Sequence, residues 1–213
     1  MELKTKSIKG MTLALLMLIA AMAGCIGTED ETTDETEEAK PAFLDASDAG
    51  YTYASDVDNH RSLMQDLCDI KTAASDSNWD EAKNIYTNGK NAEKSDGSFR
   101  TLAGFAAASG KNHNYDTFYG QDGAIGAHIM AAMDGTGDFE NASDTVRYQG
   151  IAKLTANMGM VGYTIHELNA AVAKADAGNT DNDSGAPHNW DEGWAFFHGP
   201  DEHWSCSPAY TMK

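Results

Sequence analysis

The chain of 213 residues carries 33 acidic side chains against 15 lysines and arginines, which gives a net charge of −18. Its length fits one domain of ordinary size with tails, and 4 Trp, 8 Tyr and 7 Phe supply enough apolar surface for a core. A charge this acidic, without a basic block, argues against a nucleic-acid-binding protein, because phosphate contacts need clustered lysine and arginine. Cations are the charged partners that this composition favours.

Residues 1–24 have the pattern of a secretory signal peptide. Three lysines precede an apolar run from Met11 to Ala23 that is too short to span a bilayer, and small residues end it. The residues before Cys25 resemble a lipobox, which predicts that Cys25 is acylated and anchors the mature chain to a membrane. An ordinary signal peptide with a chance cysteine is the alternative. Either reading predicts an extracytoplasmic protein.

Residues 25–45 are predicted to form a flexible tether. Within them, the sequence IGTEDETTDETEEAK has seven carboxylates and almost no apolar side chain. Such a segment repels itself and stays extended, which suits both a membrane tether and a generic solvated linker. The folded domain is expected over residues 46–213.

Helical spacing dominates after the tether, and the period-two alternation of strands is scarce. Leu63, Leu67 and Ile70 recur at steps of three and four, which predicts one buried helical stripe. A second helix is expected between a cap at Ser77 or Asn78 and a stop at Gly89. The other predicted helices cover about 57–74, 99–108, 121–133, 142–174 and 190–198. The sequence therefore predicts an all-α domain of packed helix pairs, resembling a helical bundle.

Two cysteines remain in the predicted domain, Cys68 and Cys206. They could pair in an oxidising compartment, although two thiols so far apart in sequence indicate only a possible disulfide. A bridge between them would attach the C-terminal segment to the first predicted helix.

The densest group of potential metal ligands lies near the C-terminus, where imidazoles and carboxylates alternate with aromatic residues. Its members are His188, Asp191, Glu192, His198, Asp201, Glu202 and His203. Apolar neighbours reduce the solvent screening of such charges, and a bound cation would offset that cost. A single histidine in this region is more often a surface or core residue, so the interpretation rests on the group.

A second group lies in the long predicted helix, where Tyr163 precedes His166 and Glu167. The residues around it are mostly apolar, so a charged Glu167 needs either a cation or a basic side chain as a partner. An HExxH zinc motif would need histidine where the chain has Ala170, so the zinc-protease interpretation fails. No GxSxG, Walker A or paired CxxC motif occurs, and the sequence predicts binding rather than catalysis.

Four sequence blocks follow one another in the chain: IYTNGKNAEKSDGSFRTLAGFA, AHIMAAMDGTGDF, VGYTIHELNAAVAKA and NWDEGWAFFHG. Together they resemble the low-iron-inducible periplasmic protein family of algae, which includes the iron-assimilating proteins and is similar to the phytotransferrins. The resemblance covers about residues 57–213. It implies capture of ferric iron outside the cytoplasm, in phytotransferrins with carbonate as a synergistic anion.

The resemblance also implies a set of site residues. The expected metal ligands are His166, Glu167, Asp191, Glu192 and, more weakly, Tyr119. Arg100 is a separate expectation, not implied by the resemblance, as the holder of a carbonate anion. A tyrosine phenolate is a hard oxygen donor that suits a trivalent cation. Family members are usually considerably longer than this chain. The chain is also richer in histidine than a purely oxygen site requires, which leaves room for a divalent metal.

We therefore expect a lipid-anchored protein that binds ferric iron and passes it to an iron transport system. If Glu167, Asp191 and Glu192 meet, their repulsion would be relieved by a cation, and the metal would stabilise the fold. One alternative is a surface helical interaction module whose acidic residues serve solubility. An imelysin-like metal-binding protein is a further alternative, although the HxxE pair is absent from the helix that would carry it.

Overall fold

The computed structural model of the chain describes residues 48–111 and 114–213. Within these residues the regular elements are helices, with two isolated bridges and no strand. The prediction of an all-α domain is confirmed. None of the helices in these ranges is long and apolar enough to cross a membrane. The predicted signal peptide, the acylated Cys25 and the tether lie outside the described residues and stay predictions.

The α-helices of the described ranges, in chain order, are α1 (Asp58–Arg61), α2 (Leu63–Ser75), α3 (Trp79–Asn88), α4 (Leu102–Ala106), α5 (Asn114–Tyr119), α6 (Ala124–Asp134), α7 (Asp144–Lys153), α8 (Val161–Asp176), α9 (Ala186–Phe197) and α10 (Pro208–Thr211). Gly137–Phe139 and Asp201–Cys206 are short 3-10 helices. A π-helix, Leu154–Met160, joins α7 directly to α8. The long helix predicted over 142–174 is thus present with a π segment in its middle.

Helix α3 shows how local sequence sets the helix ends. The Asn78 side chain accepts a hydrogen bond from the backbone N–H of Glu81, which caps the first turn as predicted. Gly89 ends the helix with φ of 73°, and a Cβ on it would lie 2.7 Å from the carbonyl oxygen of Arg100. Glycine is required there for both reasons. The close approach holds Arg100 against the end of α3.

Helix α2 lies at the centre of the main core. Its predicted stripe of Leu63, Leu67 and Ile70 is buried. The helix packs against α3, α7 and the C-terminal 3-10 helix, while α8 and α9 pack along each other. Phe196 of α9 is fully buried in the same core. The core therefore connects the α8–α9 pair to the rest of the described domain.

A disulfide joins Cys68 of α2 to Cys206 of the C-terminal 3-10 helix, with their Cα atoms 5.2 Å apart. The cysteines are separated by 138 residues in sequence. The C-terminal segment is thus attached to the central helix by a covalent bond as well as by packing.

We predict that mass spectrometry without reduction will find neither Cys68 nor Cys206 alkylated in the native protein. Replacing both cysteines by serine should lower the free energy of unfolding, by at most about 5 kcal/mol in the chain-entropy model for so long a loop. Denaturant unfolding of the two proteins measures the difference. Two alkylated thiols in protein matured outside the cytoplasm would contradict the prediction.

Candidate metal centre

Two imidazoles and two carboxylates meet where α1, α8 and α9 pack together. Glu192 Oε1 lies 3.2 Å from His60 Nε2 and 3.3 Å from His188 Nε2. Glu167 and Glu192 share a side-chain hydrogen bond. His60 and Glu167 are buried, and the side chains of Glu192 and His188 are only 15% and 25% exposed. We call these four residues the His–Glu cluster.

Three helices supply the cluster. His188 and Glu192 are one turn apart on α9 and therefore lie on the same face of that helix. Glu167 comes from α8, which can approach α9 closely because Gly193 has no side chain; a Cβ there would lie 3.0 Å from Leu168. His60 comes from α1, a helix of four residues early in the domain. Tertiary packing, rather than sequence proximity, brings His60 to the pair on α9.

Burial favours the uncharged forms of Glu192 and His60. Loss of hydration, together with the negative charge of Glu167 and the hydrogen bond to it, raises the pKa of Glu192 to about 7. Loss of hydration, followed by the positive charges of Arg100 and His188, lowers the pKa of His60 to about 3. Below about pH 7 the resulting arrangement is a protonated Glu192 beside a neutral His60, and the cluster then holds an exchangeable proton.

Asp191 is turned toward the segment that precedes α1. Its fully buried carboxylate accepts hydrogen bonds from Tyr51 Oη at 2.6 Å, from the backbone N–H of Ala54 at 2.9 Å and from that of Ser55 at 2.7 Å. The Ser55 hydroxyl donates to the same carboxylate at 2.9 Å. Three of the four donors reach Oδ2 and Tyr51 reaches Oδ1, so the Asp191 carboxylate fixes the segment before α1.

Ser55 connects Asp191 to the cluster. Its Oγ atom lies 2.9 Å from His188 Nδ1. Because the Ser55 hydroxyl hydrogen is assigned to Asp191, the hydrogen between Ser55 and His188 belongs to Nδ1 of the imidazole. With that hydrogen on Nδ1, Nε2 is the nitrogen that faces the cluster, as in a histidine that ligates a metal through Nε2.

Several buried polar atoms beside the cluster lack a hydrogen-bond partner within the described residues. They are His60 Nδ1, Arg100 Nε and Asn189 Oδ1. The amide nitrogen of Asn189 is engaged, because it donates to Glu167 Oε2. A buried polar atom without a partner costs about 1–3 kcal/mol, and native proteins keep few of them. Several such atoms in one place indicate that the residues of this site serve a purpose other than the stability of the fold.

An aromatic wall closes one side of the cluster. The Tyr163 ring packs edge-on against Phe105 and Phe196, with ring centres 4.7 Å and 5.5 Å apart, and the His60 ring packs against Phe196 at 5.3 Å. Burial and then the charge of Glu167 raise the pKa of Tyr163, while Lys111 opposes them. Tyr163 is therefore a tyrosine whose hydroxyl is under the influence of the cluster carboxylates.

The sequence-predicted residues do not all come together. Glu167 and Glu192 meet, and Arg100 lies near enough to affect the pKa values of both His60 and Glu192. The His166 ring lies 5.5 Å from that of Tyr163. Tyr119, at the end of α5, is 42% exposed and packs its ring against His128 at 4.6 Å.

The cluster is held by hydrogen bonds rather than by a metal-ready geometry. In residues 48–111 and 114–213, no three His, Cys, Asp or Glu side chains have the arrangement of a preformed metal site. Coordination would therefore need small side-chain movements and loss of the shared proton.

Sequence reasoning named His188 within the C-terminal group but missed His60 and Ser55. No local pattern marks those two, and only their contacts reveal them.

Comparison with known proteins identifies one family. The sequence model described as low iron-inducible periplasmic protein matches residues 31–208, most of the chain. No curated protein and no solved structure matches it.

We predict that Glu192→Gln makes the metal-free protein more stable than the wild type as the pH rises. The pKa of Glu192 is raised in the folded state from 4.5 to about 7. The contribution of Glu192 to the free energy of unfolding is therefore complete below pH 4.5 and is lost as the pH rises through 7. Glutamine does not ionise, so the variant loses no stability over this range. The difference above pH 8 should be on the order of 3 kcal/mol, measured as melting temperatures from pH 5 to 9 in metal-stripped buffer.

The exposed residue Glu140 provides the matched control for that measurement. Glu140→Gln should follow the wild-type curve at every pH. Parallel curves for Glu192→Gln and the wild type would show that burial does not suppress ionisation of Glu192.

We predict that Asp191→Asn destabilises the protein whether or not metal is present. The amide nitrogen of the variant is itself a hydrogen-bond donor and would face the backbone N–H groups that now donate to Asp191. We expect the free energy of unfolding to fall by about 2–4 kcal/mol. Thermal unfolding checks this, with the exposed Asp138→Asn as control. Unchanged stability together with lost metal binding would instead make Asp191 a ligand, as the sequence predicted.

Proposed function

This chain belongs to the low iron-inducible periplasmic protein family, and from that premise we propose that it binds iron outside the cytoplasm through the His–Glu cluster. The family description supports an extracytoplasmic, iron-related role. Ferric iron as cargo, acylation of Cys25 and delivery to an iron transport system are finer parts of the same proposal. The protein acts by binding and release, not by catalysis.

The observation that carries the proposal is the meeting of two imidazole nitrogens with two carboxylates in one buried place. Nitrogen and oxygen donors of this kind suit iron as well as zinc and manganese. Glu192 Oε1 lies 3.2 Å and 3.3 Å from the two imidazole nitrogens, so these three donors are already neighbours, although coordination of one metal ion would still need their side chains to move. A cation would replace the proton that now lies between these groups.

The proposed ligand set differs from the sequence-predicted one. Glu167 and Glu192 are kept, and His60 and His188 are added. Asp191 takes a positioning role, because it fixes Ser55 and through it the orientation of His188. His166 is not among the proposed ligands, and its ring lies 5.5 Å from that of Tyr163.

Tyr163 is the proposed phenolate donor in place of Tyr119. Its pKa responds to Glu167 and Glu192, whereas Tyr119 contacts Phe118 and His128 on a different part of the domain. A ferric ion would have to overcome the raised pKa of Tyr163, which a trivalent charge nearby can do.

Arg100 is proposed to hold the anion that accompanies iron. Its buried Nε atom has no hydrogen-bond partner in the described ranges, and its charge influences both Glu192 and His60. A guanidinium with a free donor suits a planar, two-oxygen anion such as carbonate.

A role as an interaction module remains the second candidate, and one surface favours it. A groove of about 310 Å³ between α8 and α9 is lined almost entirely by apolar side chains, with Trp190 and Ile165 about half exposed beside it. Exposed apolar grooves of this kind occur at protein contacts. Metal analysis separates the two candidates, since the groove needs no iron.

We predict that the purified, untagged protein retains about one iron per chain after incubation with ferric nitrilotriacetate and desalting. Glu192→Gln and His188→Gln should each reduce the retained iron at least tenfold, because each removes a donor from a site of few ligands. Glu140→Gln is the matched control and should retain as much as the wild type. Iron retained equally by all three variants would mean that it binds elsewhere, and no retained iron in the wild type would rule out the proposal.

Colour tests the phenolate assignment. If Tyr163 coordinates ferric iron, the loaded protein should show a visible charge-transfer band that Tyr163→Phe abolishes and Tyr119→Phe leaves intact. The reverse result would restore Tyr119 as the ligand. A loaded but colourless wild-type protein would remove tyrosine from the coordination shell.

A further inference from the structure

A second pocket lies on another part of the domain and contains none of the residues of the His–Glu cluster. It has a volume of about 340 Å³ and is bounded by α2, α7, the π-helix and the C-terminal segment. The residues on which the argument rests are Lys71, Lys153, Lys213, Tyr148, Gln149 and Leu67. We call it the lysine pocket.

The charge of the lysine pocket is opposite to that of the whole protein. Three of the chain's 15 basic residues line it, and none of its described lining residues is acidic. In the described ranges the salt bridges of lysine involve Lys83 and Lys90 only, so none of the three pocket ammonium groups is within ion-pair distance of a carboxylate. In a chain with a net charge of −18, this local positive charge is the reverse of what the composition alone would give.

Donors are available around the pocket. Lys71 has a long contact, 3.5 Å from Nζ to the carbonyl oxygen of Ser205, and Lys213 Nζ lies over the rings of Trp204 and Tyr210, 4.3 Å and 4.2 Å from their centres. The side chains of Tyr148 and Gln149 take part in none of the hydrogen bonds among the described residues. The pocket can therefore offer ammonium, phenol and amide hydrogens to one ligand, and those of Lys71, Tyr148 and Gln149 are the least engaged in internal contacts.

The wall of the pocket includes part of the π-helix. Thr155 and Ala156 belong to that segment, and the Thr155 hydroxyl is bonded back to the carbonyl oxygen of Ile151. π-Helical turns are uncommon and occur frequently at functional sites, because they change which side chains face a cavity. The apolar floor formed by Leu67 and Ala156 favours a ligand with a carbon skeleton over a bare inorganic ion.

We propose that the lysine pocket binds a small organic anion with two or three carboxylates. Three lysines line one pocket and can meet several negative charges on one molecule, and a volume of about 340 Å³ accommodates a short carbon chain. This site is independent of the proposed iron site, because the two share no residue. Tricarballylate is the chosen probe, since it carries three carboxylates without the hydroxyl group that makes citrate a strong iron chelator.

The test is isothermal titration calorimetry of tricarballylate into metal-stripped protein at low salt. We expect saturable one-to-one binding that acetate does not reproduce and inorganic phosphate reproduces only weakly. Lys71→Gln and Lys153→Gln should each weaken binding about tenfold. The control Lys94→Gln, an exposed lysine outside the pocket, should leave the affinity within twofold.

A second measurement keeps the proposal falsifiable if a variant folds poorly. In amide NMR spectra of the wild type, tricarballylate should shift the signals of Gln149, Thr155 and Thr211, which lie in the pocket wall. Glu192→Gln should bind the probe normally, which separates this site from the iron site. Absence of saturable binding, or equal weakening by Lys94→Gln and the pocket variants, would overturn the proposal.

Discussion

Helix α9 places two neighbouring carboxylates, Asp191 and Glu192, in the interior of the domain. The groups that offset the cost of burying these two charges form much of the structure around them. Successive residues on a helix point about 100° apart, so the two carboxylates face different surroundings. Asp191 is fully satisfied by the segment before α1. Glu192 faces imidazoles and another carboxylate, and burial together with Glu167 outweighs the favourable charges of Arg100 and Lys174, so that its pKa is raised.

The surroundings of Asp191 and Glu192 are connected through a short series of contacts. Because Asp191 fixes Ser55, and Ser55 contacts His188, the structural carboxylate also orients a donor of the candidate metal site. The same hydrogen bonds hold the segment before α1, the helix that carries His60. Asp191, which is not itself a proposed ligand, thus determines the positions of His60 and His188. Residues that contact the ligands of a metal site commonly have this role.

The two proposed sites differ in the charge of the side chains that form them. The His–Glu cluster concentrates negative and titratable groups beneath an aromatic wall, while the lysine pocket gathers positive charge against α2 and the C-terminal segment. The disulfide between Cys68 and Cys206 ties that segment to α2, and Cys206 itself lines the pocket. If both proposals hold, an acidic protein can bind a cation and an organic anion without direct competition between them.

The sequence by itself determined the helical class, most of the long helices and the α3 ends at Asn78 and Gly89, because apolar period and capping chemistry are local properties. It also marked Glu167 and Glu192, since carboxylates amid apolar residues need a partner wherever they fold. Only the tertiary structure decided that Asp191 and Glu192 have different roles, and that His60 rather than a residue near in sequence completes the cluster. The reason is physical: a side chain's neighbours depend on how α1, α8 and α9 pack, and that packing is set by the whole core rather than by any motif.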